Sequence, residues 1–85
     1  MPEISRFYGI VITVNFDDHL PPHFHARYGE FRASIKLDGA VLDGRLPSRA
    51  LGLVRLWAKE HQDELALDWT LARTLQPLLP IAPLD

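Results

Sequence analysis

A change of hydrophobic period near Pro47 divides this chain into two kinds of structure. Before it, apolar side chains recur at every second residue; after it, they recur at every third or fourth. Ile10, Ile12, Val14 and Phe16 alternate with Val11, Thr13 and Asn15, which describes a strand over 10–16 with one strongly apolar face. Asp17 to Pro22 reads as a turn or short loop, since acids favour turns and prolines cannot sit inside a central strand. The alternation resumes over 23–28, with Phe24, Ala26 and Tyr28 on one face and His23, His25 and Arg27 on the other. Gly29-Glu30 is a tight-turn signal, and a strand over 31–37 follows with Ala33, Ile35 and Leu37 aligned. Asp38-Gly39 is a hairpin signal that leads into a short returning strand at 40–43. Turns this short favour an antiparallel meander of about four strands.

The second half is helical in period. Ser48, after Pro47, is expected to cap a helix over 48–61 with apolar positions at Leu51, Val54, Trp57, Ala58 and His61. A break near Gln62 precedes a second helix over 63–75, which opens on Asp63-Glu64, two acids suited to a helix N-terminus. Leu65, Trp69 and Ala72 form one stripe on it, and Leu67, Leu71 and Leu75 form another on the opposite side. The second stripe carries the expectation of a homodimer or of cover from the tail. That tail, Pro77–Leu84, has prolines too closely spaced for a helix and reads as an extended strap.

Strands followed by helices define an α+β fold, expected here as a single domain over 1–85. The helices should cover the face bearing Ile12, Phe24 and Ile35. The other face, with His23, His25, Arg27, Arg32 and Lys36, should stay open. At 85 residues, 47% hydrophobic and 24% charged, the chain has the composition of a globular domain with one modest core. It has no cysteine, so thiolate metal sites, cysteine nucleophiles and disulfides are excluded, and a reducing cytoplasm is the expected setting. The opening Met-Pro-Glu-Ile-Ser lacks the basic and apolar runs of a signal peptide, and no apolar stretch approaches a membrane span. A net charge of −2 argues against a surface basic all over, while leaving room for a local basic face.

Three of the four histidines fall within residues 17–28. His19, His23 and His25 follow an H-x3-H-x-H spacing behind Asp17-Asp18, and Pro21-Pro22 divides the group. On a strand, His23 and His25 can present two imidazoles to one ion, with His19 able to join across the turn and either Asp17 or Asp18 able to supply an oxygen ligand or to orient a histidine from behind. Such a set, without sulfur, suits zinc, iron, copper or nickel rather than magnesium. An ion between two or more of these imidazoles, about 2.0–2.1 Å from nitrogen, would mark a metal centre; ring nitrogens all bonded to backbone or aspartate would mark a turn scaffold. A metal-free histidine pair acting as base and acid in RNA cleavage is a second reading. A third is a binding face of Arg27, Arg32 and Lys36 for a phosphate backbone or an acidic partner. His61, at a helix C-terminus and in line with the apolar stripe, reads as a structural histidine. Trp57 and Trp69 read as core pillars.

Several segments resemble one bacterial family, that of domain of unknown function 4160. They are Ile-Ser-Arg-Phe-Tyr-Gly-Ile at 4–10, Asp-His-Leu-Pro-Pro-His-Phe-His-Ala at 18–26, Gly-Arg-Leu-Pro-Ser-Arg-Ala-Leu at 44–51 and Trp-Ala-Lys-Glu-His-Gln-Asp-Glu-Leu at 57–65, together with Trp69 and Ile-Ala-Pro-Leu at 81–84. The resemblance implies a small stand-alone protein, often encoded beside another small protein in a toxin–antitoxin-like arrangement. It assigns no activity. The expectation from sequence is therefore a cytoplasmic binding or regulatory module acting on a protein partner or nucleic acid. No residue is assigned a catalytic role. The alternative is a metal site formed by Asp18, His19, His23 and His25, with zinc the leading ion, in a metal-binding protein or a metal-dependent hydrolase such as a nuclease.

Overall fold

The computed structural model describes residues 2–85. Five strands, β1 (Glu3–Phe7), β2 (Ile10–Thr13), β3 (His23–Tyr28), β4 (Phe31–Lys36) and β5 (Val41–Arg45), precede two helices, α1 (Ser48–Glu60) and α2 (Gln62–Arg73). The strands form one antiparallel sheet in the order β1-β2-β3-β4-β5. The α+β meander expected from the alternation is present, with one strand more than expected. The additional strand is β1, whose pattern is interrupted by an irregularity between Glu3 and Ser5. It joins β2 through a two-residue turn in which Tyr8 and Gly9 both have positive φ, the geometry that matches strand twist in tight hairpins.

The apolar face of the sheet is covered as its alternation requires. Ile10, Ile12, Phe24 and Ile35 are all 0% exposed. Trp57 of α1 is their central partner, its ring 5.4 Å from that of Phe7 and 5.8 Å from that of Phe24. Burying a side chain of this size contributes about 4–6 kcal/mol of gross hydrophobic stabilisation. Leu65, Trp69 and Ala72 of α2 join the same core.

Element ends differ from the periodicity in physically traceable ways. β2 ends at Thr13 rather than continuing to 16; Val14 N still bonds Pro2 O in the β1–β2 register, but Phe16 is exposed and Asp17 takes a positive φ. Pro47, not Ser48, is the N-cap of α1, and no side chain caps it. The break falls at His61, whose imidazole bonds Glu64. α2 ends at Arg73, and Leu75 beyond it has a φ of 58°, so the Leu67, Leu71 and Leu75 stripe does not continue along one helix. The tail is extended and strapped down. Ile81 N bonds Ile4 O at 2.7 Å, Trp57 Nε1 bonds Ala82 O at 2.9 Å, and Leu79 N bonds Asp68 Oδ1 at 2.8 Å. Among the described residues, no helix is long and apolar enough to cross a membrane.

Candidate metal centre

The loop from Val14 to Pro22 is tied to the C-terminal end of α2. Asp17 N bonds Ala72 O at 3.1 Å, and Arg73 Nη1 bonds Asp18 O at 2.9 Å. These bonds hold the Asp18 side chain over the start of β3, where His23 and His25 project from alternate positions. Asp18 Oδ2 lies 3.1 Å from His23 Nε2 and 3.1 Å from His25 Nε2. One carboxylate oxygen therefore meets two imidazoles. The ligand atoms of Asp18, His23 and His25 all lie within 4.8 Å of one another, close enough to hold a metal ion.

Each imidazole is fixed from behind. Pro21 O accepts a hydrogen bond from His23 Nδ1 at 2.7 Å. A carbonyl has no proton to give, so Nδ1 carries the hydrogen and the Nε2 of a neutral His23 presents its lone pair to Asp18. The His23 ring is also packed against Trp69, 5.3 Å between centroids, and edge-on to His25 at 5.1 Å. His25 Nδ1 is 3.2 Å from Ser34 Oγ on β4, and its Nε2 is 3.2 Å from Asn15 Nδ2. Oδ1 of Asn15 is buried and has no partner among the described residues.

Asp18 remains an anion here. Partial burial pushes its carboxyl up, but hydrogen bonds from His25 and the His19 N–H, with the charges of His23 and His25, hold it below the ordinary aspartate value. The cluster thus combines a carboxylate with two oriented nitrogens. Ligands about 2.0 Å from a shared tetrahedral ion stand about 3.3 Å apart, and octahedral ligands at about 2.1 Å stand about 3.0 Å apart. The two Asp18–imidazole separations of 3.1 Å fall between these values, and they are equally the length of direct hydrogen bonds. Three of the four ring nitrogens of His23 and His25 thus bond backbone or aspartate, as a turn scaffold would have them, and the fourth, Nδ1 of His25, faces Ser34 Oγ; the same convergence is close enough to hold an ion.

The remaining sequence candidates are placed differently. The His19 side chain is 96% exposed with Nε2 3.8 Å from Asp18 Oδ1, outside the converging group. His23 is buried, a correction to the expectation that its whole sheet face is open: the 14–22 loop and Trp69 close over that end. His25 is half-buried, while Arg27 and Arg32 are exposed. Lys36, opposite His23 in register, reaches 4.0 Å from Asp38. Asn15, Ser34, Trp69 and Arg73 support the cluster and were not picked out by sequence. Alternation does put Ser34 and Asn15 on the histidine face, and that was the available signal for those two.

Fold and site together define a small α+β meander domain with a carboxylate and two imidazoles gathered at one end of its sheet. The chain belongs to the family described as Domain of unknown function (DUF4160), which matches residues 9–70. The matched span contains the whole cluster and reaches into α2. Comparison with curated proteins and with solved structures gives no match.

Proposed function

We propose that this protein is a divalent-metal-binding domain whose ion, of the zinc class, is held by Asp18 and by Nε2 of His23 and His25. The observation that carries this reading is the pair of contacts His23 makes, Nδ1 to Pro21 O at 2.7 Å and Nε2 to Asp18 Oδ2 at 3.1 Å. With Nδ1–H committed to Pro21 O, the Nε2 of a neutral ring faces an anionic oxygen with a lone pair, an arrangement that repels unless a metal ion or a proton lies between. A bond from the far ring nitrogen to a backbone carbonyl is also how metal-bound histidines are commonly oriented.

A proton is the competing occupant. A single imidazolium at His23 suffices, with a neutral His25 donating Nε2–H to the same Asp18 oxygen and accepting from Ser34 Oγ at Nδ1. Zinc titration separates the two occupants. Three protein ligands leave at least one coordination position for water or substrate, which is the pattern of catalytic rather than structural zinc sites. A metal-dependent hydrolase is the enzyme class this arrangement serves. Calorimetric titration of chelator-treated protein with zinc tests the reading. One site per chain is expected, abolished by His23→Ala and by His25→Ala. Full zinc binding by both variants would refute it.

A partner-binding role draws support from the family resemblance, and from Leu67 and Leu75, exposed at 47% and 69%. Co-purification with the neighbouring small protein, and light scattering for a homodimer, test it. A lone monomer that never associates would end it.

A further inference from the structure

The outer face of the sheet carries a row of arginines for which the metal site has no use. Arg6 of β1 lies opposite Val11, Val11 opposite Arg27, Arg27 opposite Arg32, and Arg32 opposite Arg45. Like charges directly opposite on adjacent strands are destabilising, so such a row weakens the sheet it decorates. The two outer members have occupations. Arg6 grips Glu3 through Nε and Nη2 at 3.1 and 2.8 Å, and Arg45 lies over the Phe31 ring at 5.2 Å. Arg27 and Arg32 are exposed, and among the described residues neither has a salt bridge or a side-chain hydrogen bond. Glu3 does feel the charge of Arg27, but its carboxylate is committed to Arg6.

These two arginines line a concavity of about 360 Å³ with Thr13, His25, Ser34 and Asp43. That is the size of a small-molecule cleft. The next row of the sheet is Thr13, His25, Ser34 and Asp43, one strand repeat (about 7 Å) from the arginines. His25 therefore belongs both to the metal cluster and to the concavity. No aromatic side chain lines it, so the base-stacking platform of single-strand nucleic-acid binders is missing, and a small ligand fits better.

We propose that Arg27 and Arg32 form an oxyanion site, holding the phosphate or carboxylate group of a small molecule in this groove beside the ion at Asp18, His23 and His25. Guanidinium forks suit such groups because they donate parallel hydrogen bonds to two oxygens. Asp43, exposed on the far strand, repels the anion from that side and confines it to the arginine end. The contact between ligand and ion rests on the metal reading above; the arginine contact does not.

The test is an amide-resolved NMR titration of the full chain, metal-free and zinc-loaded, with inorganic phosphate, phenyl phosphate and benzoate as separate probes. The expected result is shifts confined to strands β2 to β5 around the groove, with affinity at least about 10-fold weaker in Arg27→Gln and Arg32→Gln, one charged contact's worth. Zinc affinity of both variants should stay within about 2-fold of the parent, since neither arginine belongs to the ligand set. A response to phosphate but not benzoate assigns the group as phosphate, and the reverse assigns carboxylate. Arg32→Gln should also raise Tm by about 2–4 °C, because it removes a like-charge opposition; a structural arginine would lower it. Shifts absent from the groove, or equal binding by the variants, overturn the proposal. Arginine-dependent binding in a protein that takes no zinc refutes the metal reading alone.

Discussion

Replacing Gly44 by alanine should detach the β5 edge of the sheet, and its cost follows from the backbone. Gly44 has a φ of 75°, and a Cβ added there would sit 2.2 Å from Arg32 O and 3.1 Å from Ala33 Cα. The left-handed conformation alone costs a non-glycine residue about 1–2 kcal/mol. A carbon needs about 3.2 Å from a carbonyl oxygen, so β5 must also move away from β4 by about 1 Å, at the expense of at least one ladder hydrogen bond worth about 1 kcal/mol. Together these give about 2–3 kcal/mol, or a fall in Tm of about 10–20 °C for a domain of this size. Urea unfolding followed by circular dichroism would show a lower midpoint with an unchanged slope. Gly44→Asn separates the two causes. Asparagine tolerates positive φ, so it should be nearly as damaging as alanine if the clash dominates. A loss below about 1 kcal/mol for alanine would refute the close approach of β4 and β5 and, with it, the shape of the groove they line.

Three further outcomes follow from the same structure. His25→Ala should weaken zinc binding by more than about 100-fold, while His19→Ala should change it by less than about 3-fold, as read by calorimetry; equal losses would place His19 in the ligand set. Asp68 is buried, with Oδ2 unpartnered among the described residues, and burial pushes its carboxyl above the ordinary aspartate value, with the Glu64 charge adding to the shift and the Leu79 N–H opposing it. The folded state therefore carries a buried charge once pH exceeds that raised value, and pays nothing where both states are protonated. Asp68→Asn should raise Tm at neutral pH, with the gain fading as pH falls into the acid range, and a gain constant across pH would contradict the assignment. Trp57→Phe removes the bond to Ala82 O and part of the core, so it should cost about 2–3 kcal/mol and speed hydrogen exchange at Ile81 N–H.

Alternation and turn chemistry were enough to anticipate the meander, the covered face and both helices, because each of those depends on local periodicity. β1 escaped for a local reason. Its alternation is broken at Glu3 and Ser5, and its turn uses Tyr8 in a conformation that side chains other than Gly, Asn and Asp seldom adopt. At the site, the grouping of His23 and His25 with an aspartate was legible from spacing, though spacing left Asp17 and Asp18 as equals and only the structure brings in Asp18. Exclusion of His19 was not, because it depends on how the Pro21-Pro22 turn aims each side chain. Burial of His23 was also hidden, since Trp69 reaches it across more than forty residues of sequence. The arginine row needs the strand register, and a one-residue slip would scatter it between faces.

Anomalous diffraction from crystals of the zinc-loaded protein, recorded at the zinc edge, tests the central claim most directly. One peak is expected about 2.0–2.1 Å from His23 Nε2, His25 Nε2 and an Asp18 oxygen, with His23 Nδ1 still bonded to Pro21 O. A cluster without a peak, its three side chains bonded directly to one another while zinc collects elsewhere, would contradict it.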